Sequence, residues 1–103
     1  MVALILIACA PASAAVSESP LSGPHVFGWG FAYPYAVASD GTHVWVTNGD
    51  GDSVTELSAS TGALVKVISG SAYQFDFPDA IASNGTNVWV ANADQSVTGF
   101  PAS

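Results

Sequence analysis

The stretch DGTHVWVTNGD, residues 40–50, returns as NGTNVWVANAD at residues 84–94. A shift of 44 residues aligns the two stretches as far as Asn48 and Asn92, and the shift falls to 43 beyond them. This change of length is expected in a surface hairpin loop, which tolerates insertions. The chain therefore contains an internal repeat. The shift of 44 also aligns Phe31 with Phe75, Pro34 with Pro78, Ala36 with Ala80, Ala38 with Ala82 and Gly41 with Gly85.

Each repeat consists of short strand patterns separated by turn residues. Asp40-Gly41 supplies the positive φ that a tight hairpin needs. Four short strands joined by hairpins within about 44 residues are typical of one β-propeller blade. The predicted strands of the first repeat are residues 35–39, 43–48, 53–57 and 63–69.

Side-chain size favours a propeller over a sandwich. Ala36 and Ala38 suit a strand near a crowded propeller axis. The Val-Trp-Val run at 44–46 does not alternate with polar residues, which predicts burial on both faces. Lys66, among apolar neighbours, fits an outer strand partly exposed to water. We expect an all-β fold of antiparallel four-stranded propeller blades, about two in number, the second lacking its outer strand and the ring incomplete.

The segments PYAVASDGTHVWVTN and PDAIASNGTNVWVANADQSVT resemble bacterial YVTN- and NHL-type propeller repeats, including those of virginiamycin B lyase-like proteins. The resemblance covers residues 31–103 and rests on residues that are structural in the family. It implies a ring of about six to seven blades, often exported, that serves as binding platform, scaffold or enzyme.

The predicted organisation is a signal-like leader at residues 1–14, a linker at 15–30, a first blade at 31–70 and a truncated second blade at 71–103. Repeat units usually need about three copies for stability. We therefore expect a part of a larger propeller, a decayed gene copy, or a protomer that assembles with other copies.

The first fifteen residues are apolar and uncharged, and they are too few for a transmembrane helix of about 20 residues. Ala12-Ser13-Ala14 has the small-x-small pattern of a leader cleavage site, although no basic residue precedes the apolar run. The sequence predicts export to the periplasm or the extracellular space. LIAC at residues 6–9 leaves open a lipid anchor at Cys9, the only cysteine.

The chain carries 8 acidic residues against 1 basic residue, for a net charge of −7. Such a protein is repelled by a nucleic acid backbone and by an anionic membrane surface. The expected partners are other propeller blades, in the same ring or in other copies. Aromatic residues precede each repeat: Trp29, Phe31 and Tyr33 align with Tyr73, Phe75 and Phe77. They could bind an extracellular protein or a carbohydrate, and the simpler interpretation is that they pack between blades.

Candidate chemistry is sparse. NGDGD at residues 48–52 has the alternate oxygens of a calcium loop, but Ser53 and Ala59 stand where an EF-hand requires Gly and Glu. We expect a polar hairpin loop. His43 is replaced by Asn87 in the second repeat, which predicts a solvated turn residue, and His25 has no recognisable partner. The acidic residues, mostly in predicted loops, are expected to provide solubility.

No catalytic, cofactor-binding or metal-binding residue is therefore predicted, and no cofactor. The leading hypothesis is an exported, non-catalytic β-propeller repeat segment that acts as a binding or structural module within a larger propeller. The alternatives are a fragment of a lyase- or lactonase-like propeller enzyme and a gene remnant without function.

Overall fold

A computed structural model describes residues 23–102; the predicted leader, its cleavage site and Cys9 lie outside this range. The described residues form strands and turns, and they include no helix that is long and apolar enough to cross a membrane. Two antiparallel sheets result, sheet 1 in the order β1-β2-β3-β4 and sheet 2 in the order β5-β6-β7. The strands are β1 (Pro34–Ser39), β2 (His43–Asn48), β3 (Ser53–Ser58), β4 (Leu64–Ile68), β5 (Pro78–Ser83), β6 (Asn87–Asn92) and β7 (Ser96–Pro101).

The all-β expectation is confirmed, and each of the four strands predicted for the first repeat is present within one residue of its predicted bounds. The turn chemistry explains the first hairpin of each sheet. Gly41 and Gly85 have φ values of 91° and 90°, a region that costs glycine little. Asp40 Oδ1 accepts from the backbone N–H of His43 at 2.7 Å, and Asn84 Oδ1 makes the equivalent bond at 2.8 Å.

Each sheet has two faces, which the strand register defines because paired residues share a face. Trp45 pairs with Ala38 on β1 and with Glu56 on β3, and we call their side the front face of sheet 1. The front face of sheet 2 is the equivalent side, with Ala82, Trp89 and Gly99. The back faces comprise Val37, Val44, Val46, Thr55 and Leu57 in sheet 1, and Ile81, Val88, Val90, Thr98 and Phe100 in sheet 2.

The core lies between the sheets, where the back face of sheet 2 covers the front face of sheet 1. Trp45 is 1% exposed and meets the Phe100 ring edge-on, with centroids 5.8 Å apart. Val88 and Val90 are fully buried against the same layer. Neither sheet could bury these side chains alone. The core residues are Trp45, Val54, Ile68, Phe75, Val88, Val90, Phe100 and Ala102.

The expectation that Val-Trp-Val is buried on both faces is correct only for the front face. Trp45 is buried, whereas Val44 and Val46 on the back face are only partly buried. Val37, beside Val46 in the register, is 66% exposed. The physical reason is that sheet 2 covers one face of sheet 1 and leaves the β1 side of the other open to solvent.

The repeat extends into the connections ahead of β1 and β5. Tyr33 and Phe77 have φ values of 59° and 47°, which are uncommon for bulky side chains. Equivalent hydrogen bonds hold them, from Gly49 N to Tyr33 O at 2.9 Å and from Ala93 N to Phe77 O at 3.3 Å. The two connections therefore share one defined backbone conformation and are part of the repeat.

Candidate functional site

The front face of sheet 2 is the first candidate site, because it exposes what sheet 1 buries. Trp89 is 49% exposed, against 1% for its equivalent Trp45. Val97 is 66% exposed, while its equivalent Val54 is fully buried. The strand register places no ionisable side chain on this face. Exposed apolar patches of this kind are characteristic of interaction sites.

The Trp89 ring lies against its own sheet at Gly99. A Cβ atom at position 99 would be 2.5 Å from Trp89 Cζ3, too close for any side chain without movement of the ring. In sheet 1 the position equivalent to Gly99 holds Glu56. The glycine thus lets an indole rest on an uncharged surface, which a neighbouring sheet can cover.

A second candidate surface lies on the opposite side of the molecule, at β1. An open apolar depression of about 190 Å³ is lined by residues that include Tyr35, Val37 and Val46. Tyr35 and Phe77 meet edge-on beside it, with ring centroids 5.6 Å apart. This depression reaches the back face of sheet 1.

Glu56 is the centre of a buried polar cluster on the front face of sheet 1. It is 3% exposed, so the expectation that the acidic residues provide solubility is wrong for this residue. Its Oε2 lies 3.2 Å from His43 Nε2, and its Oε1 lies 3.9 Å from Lys66 Nζ. Lys66 keeps the predicted partial exposure of an outer strand. Antiparallel pairing of β3 with β2 and β4 brings these groups to one face.

His43 is not the solvated turn residue that the sequence predicts. It begins β2, and its side chain is 24% exposed. Its Nδ1 lies 3.6 Å from Asp40 Oδ2. The same carboxylate oxygen accepts a hydrogen bond from Ser83 Oγ of sheet 2 at 3.5 Å. The cluster thus lies where the two sheets meet.

The geometry of the cluster does not suit a metal ion. The two ring nitrogens of His43 face different carboxylates and so do not converge on one point. Within residues 23–102 no group of three or more potential ligands is placed to hold a metal. Burial opposes ionisation of Asp40, but the N–H groups of His43 and Thr42, then the charge and side chain of His43, hold the pKa of Asp40 below its usual value.

The recurring Asn has a role that sequence reasoning missed. Asn48 Oδ1 accepts from Ala32 N in the preceding connection at 3.4 Å, and its Nδ2 donates to Ser53 Oγ and Thr55 Oγ1 at 3.1 and 2.9 Å. Asn92 repeats the network with the connection ahead of β5 and with Ser96 and Thr98. The joint recurrence of Asn, Ser and Thr was the available signal.

The NGDGD segment is a hairpin loop, as expected, but it also joins the repeats. Asp52, with φ of 48°, accepts at Oδ1 from the backbone N–H of Phe77 at 2.8 Å. The Phe77 ring lies on Gly49 of the same loop. This loop therefore fixes the connection that leads into sheet 2. His25, the other candidate, is exposed near Phe27.

The aromatic connection residues divide into two groups. Phe75 is buried and Tyr73 half-buried, and both rings pack edge-on against Phe100. Trp29, the counterpart of Tyr73, is exposed, and Phe31, the counterpart of Phe75, is only partly buried. Trp29 Nε1 donates to Gly62 O at 2.9 Å. The connection is thus a packing element where a sheet covers it and a surface where none does.

Comparison with known proteins assigns no family, since no protein-family model and no curated protein sequence matches the chain. Its function must be inferred from the surfaces described above.

Proposed function

We propose that the chain is an exported, non-catalytic β-propeller repeat segment that acts as a binding or structural module. In this proposal sheets 1 and 2 are neighbouring blades, and the front face of sheet 2 receives the next blade of a larger propeller. The observation that carries the proposal is the contrast between Trp45, buried by sheet 2, and Trp89, its exposed equivalent.

The repeated connections support this arrangement. Tyr73 and Phe75 lead from sheet 1 into sheet 2 and pack against Phe100. The same turn geometry and Asn network occur ahead of β1. A structure assembled by stacking one unit on the next needs the same connection each time.

The polar cluster fits a structural role in the proposal. Glu56 is buried against His43, and Asp40 reaches Ser83 of the other sheet. Sheet 2 carries Asn87 and Gly99 at the positions of His43 and Glu56. The cluster therefore belongs to one particular contact between sheets and is not a repeated site.

Extension of the chain by one more unit tests the proposal. Residues Pro101-Ala102-Ser103 align with Ser58-Ala59-Ser60, and Ala102 N and Ala59 N donate to equivalent carbonyls, both at 2.9 Å. Residues 61–103 are therefore appended after Ser103. The chain also carries Val37→Lys, which places a charge on the exposed back face of sheet 1 so that separate copies do not associate through that face. Phenylalanine replaces every tryptophan except Trp89.

The added unit is expected to cover Trp89, so that acrylamide quenching of its fluorescence falls severalfold. A matched extension with Val90→Lys in the added unit only should leave Trp89 accessible, because the lysine occupies the covering face. Equal quenching with either extension, and without one, would contradict the proposal.

Export is tested separately by the intact mass of the chain recovered from a secreting bacterium. The proposal expects a mature chain that begins at Ala15, or one that begins at an acylated Cys9. A chain that stays in the cytoplasm and retains Met1 would contradict it.

A further inference from the structure

Two faces of the molecule, one open and one open in part, match the two sides of its internal interface. Inside the chain, the back face of sheet 2 lies on the front face of sheet 1, with Trp45 and Phe100 in contact. The front face of sheet 2 and the β1 side of the back face of sheet 1 are open to solvent. On the β3 side of that back face, Thr55 and Leu57 are already buried. The front face of sheet 2 has the same strand register as the front face of sheet 1, and the back face of sheet 1 has the same register as the back face of sheet 2.

On the receiving side, the front face of sheet 2 repeats the front face of sheet 1. The central indole of Trp45 has its equivalent in Trp89, and Val54 has its equivalent in Val97. The small residues of the first strand recur, so a covering sheet can approach β5 as closely as sheet 2 approaches β1. The remaining equivalent pairs are Ala36 with Ala80, Ala38 with Ala82, and Thr47 with Ala91.

On the covering side, the back face of sheet 1 repeats the back face of sheet 2. Val44 and Val46 are equivalent to Val88 and Val90, which are fully buried against sheet 1. Val37 is equivalent to Ile81, which packs at the edge of the core. The apolar depression beside Val37 and Val46 therefore lies on the surface that corresponds to the covering side of the internal interface.

Charge favours this match as well. The internal contact includes the ionisable side chains of His43, Glu56 and Lys66, which lie on the front face of sheet 1. The front face of sheet 2 has Asn87 and Gly99 at the equivalent positions, and the back-face residues of sheet 1 are also uncharged. Two such faces can meet without burying an unpaired charge, which would be costly.

We propose that the front face of sheet 2 binds the back face of sheet 1 of a second copy of this chain, head to tail. The inference rests on the proposed function and names the partner of the same surface. A head-to-tail contact uses two different faces, so it closes into a ring or continues as a filament, according to the rotation between copies. Because each copy has a net charge of −7, association strengthens as salt screens the repulsion.

The test uses two variants that each disable one face. Trp89→Lys blocks the front face of sheet 2, and Val37→Lys blocks the back face of sheet 1; both side chains are exposed, so each variant should fold. Val26→Lys is the matched control, since Val26 is exposed and lies on neither face. Light scattering after size exclusion then gives the mass of each chain alone and of equimolar mixtures.

The unaltered chain and Val26→Lys are expected to form assemblies that grow with salt, whereas Trp89→Lys and Val37→Lys are each monomeric. Mixing these two variants should restore one contact, between the intact front face of one and the intact back face of the other, and give a particle of twice the chain mass. Monomeric unaltered chain, assemblies that survive both lysine variants, or a mixture that stays monomeric would each overturn the inference. If the unaltered chain is monomeric while the extended chain covers Trp89, the inference fails and the proposed function stands.

Discussion

Trp45 and Trp89 occupy the same place in two copies of one repeat, yet one is 1% exposed and the other 49%. Their strands have the same length and the same pairing register. The difference comes from the neighbouring sheet: sheet 2 covers the front face of sheet 1, whereas no sheet formed by residues 23–102 covers the front face of sheet 2. For this pair of tryptophans, burial is decided by whether a second sheet packs on the front face.

Asn48 and Asn92 show the opposite behaviour. Both are buried, and each bonds to two hydroxyls of the next strand and to the backbone of its own preceding connection. That network is complete within one repeat and needs no neighbour. The repeat therefore contains a self-sufficient hydrogen-bonded part and an apolar part that depends on stacking.

The largest expected effect separates the two tryptophans. In the Val37→Lys background, Trp45→Ala should lower the free energy of unfolding by about 3–5 kcal/mol, since it empties a large site in the core. Trp89→Ala should cost no more than about half as much, because half of that side chain already contacts water. Urea unfolding followed by circular dichroism measures both. Similar losses for the two variants would show that the second front face is also packed.

The asparagine pair is expected to behave alike. Asn48→Ala and Asn92→Ala should each cost about 2 kcal/mol, because each leaves a backbone N–H and two hydroxyls without their partner. The same urea titrations give both values. A difference between the two as large as that between the tryptophans would mean that the network also depends on the neighbouring sheet.

The smallest expected effect concerns the equivalent turn residues Asp40 and Asn84. The pKa of Asp40 is held below its usual value, so its ionised form stabilises the folded state above that value. This contribution is lost as the pH falls through the lower pKa of the folded state. Asp40→Asn should keep the turn, which Asn84 forms with the same bonds, and remove this part of the acid dependence.

The measurement is the free energy of unfolding between neutral pH and pH 3. Its slope against pH gives the difference in bound protons between the unfolded and folded states, to which Asp40 contributes at most about one proton. Asn84→Asp is the matched reverse variant and should add an acid-dependent loss of stability in sheet 2. An unchanged acid limb in Asp40→Asn would show that this carboxylate does not favour the folded state.

The sequence was sufficient for the features that are local. The strand bounds, the Asp40-Gly41 turn and the repeat follow from residues that are adjacent in sequence. Their pattern does not depend on how the two sheets pack against each other. The burial of Glu56 and of most of the His43 side chain was missed because it depends on which face sheet 2 covers. The role of Asn48 was missed because its acceptor oxygen binds Ala32, in a connection that precedes β1.

The most direct test of the central claim is the solvent access of each tryptophan in the monomeric Val37→Lys chain. Two variants keep only Trp45 or only Trp89, with phenylalanine at the other positions, Trp29 included. Acrylamide should quench Trp89 several times more efficiently than Trp45, and the Trp89 emission should lie at longer wavelength. Equal quenching of the two indoles would contradict the claim that one front face is covered and the other is open.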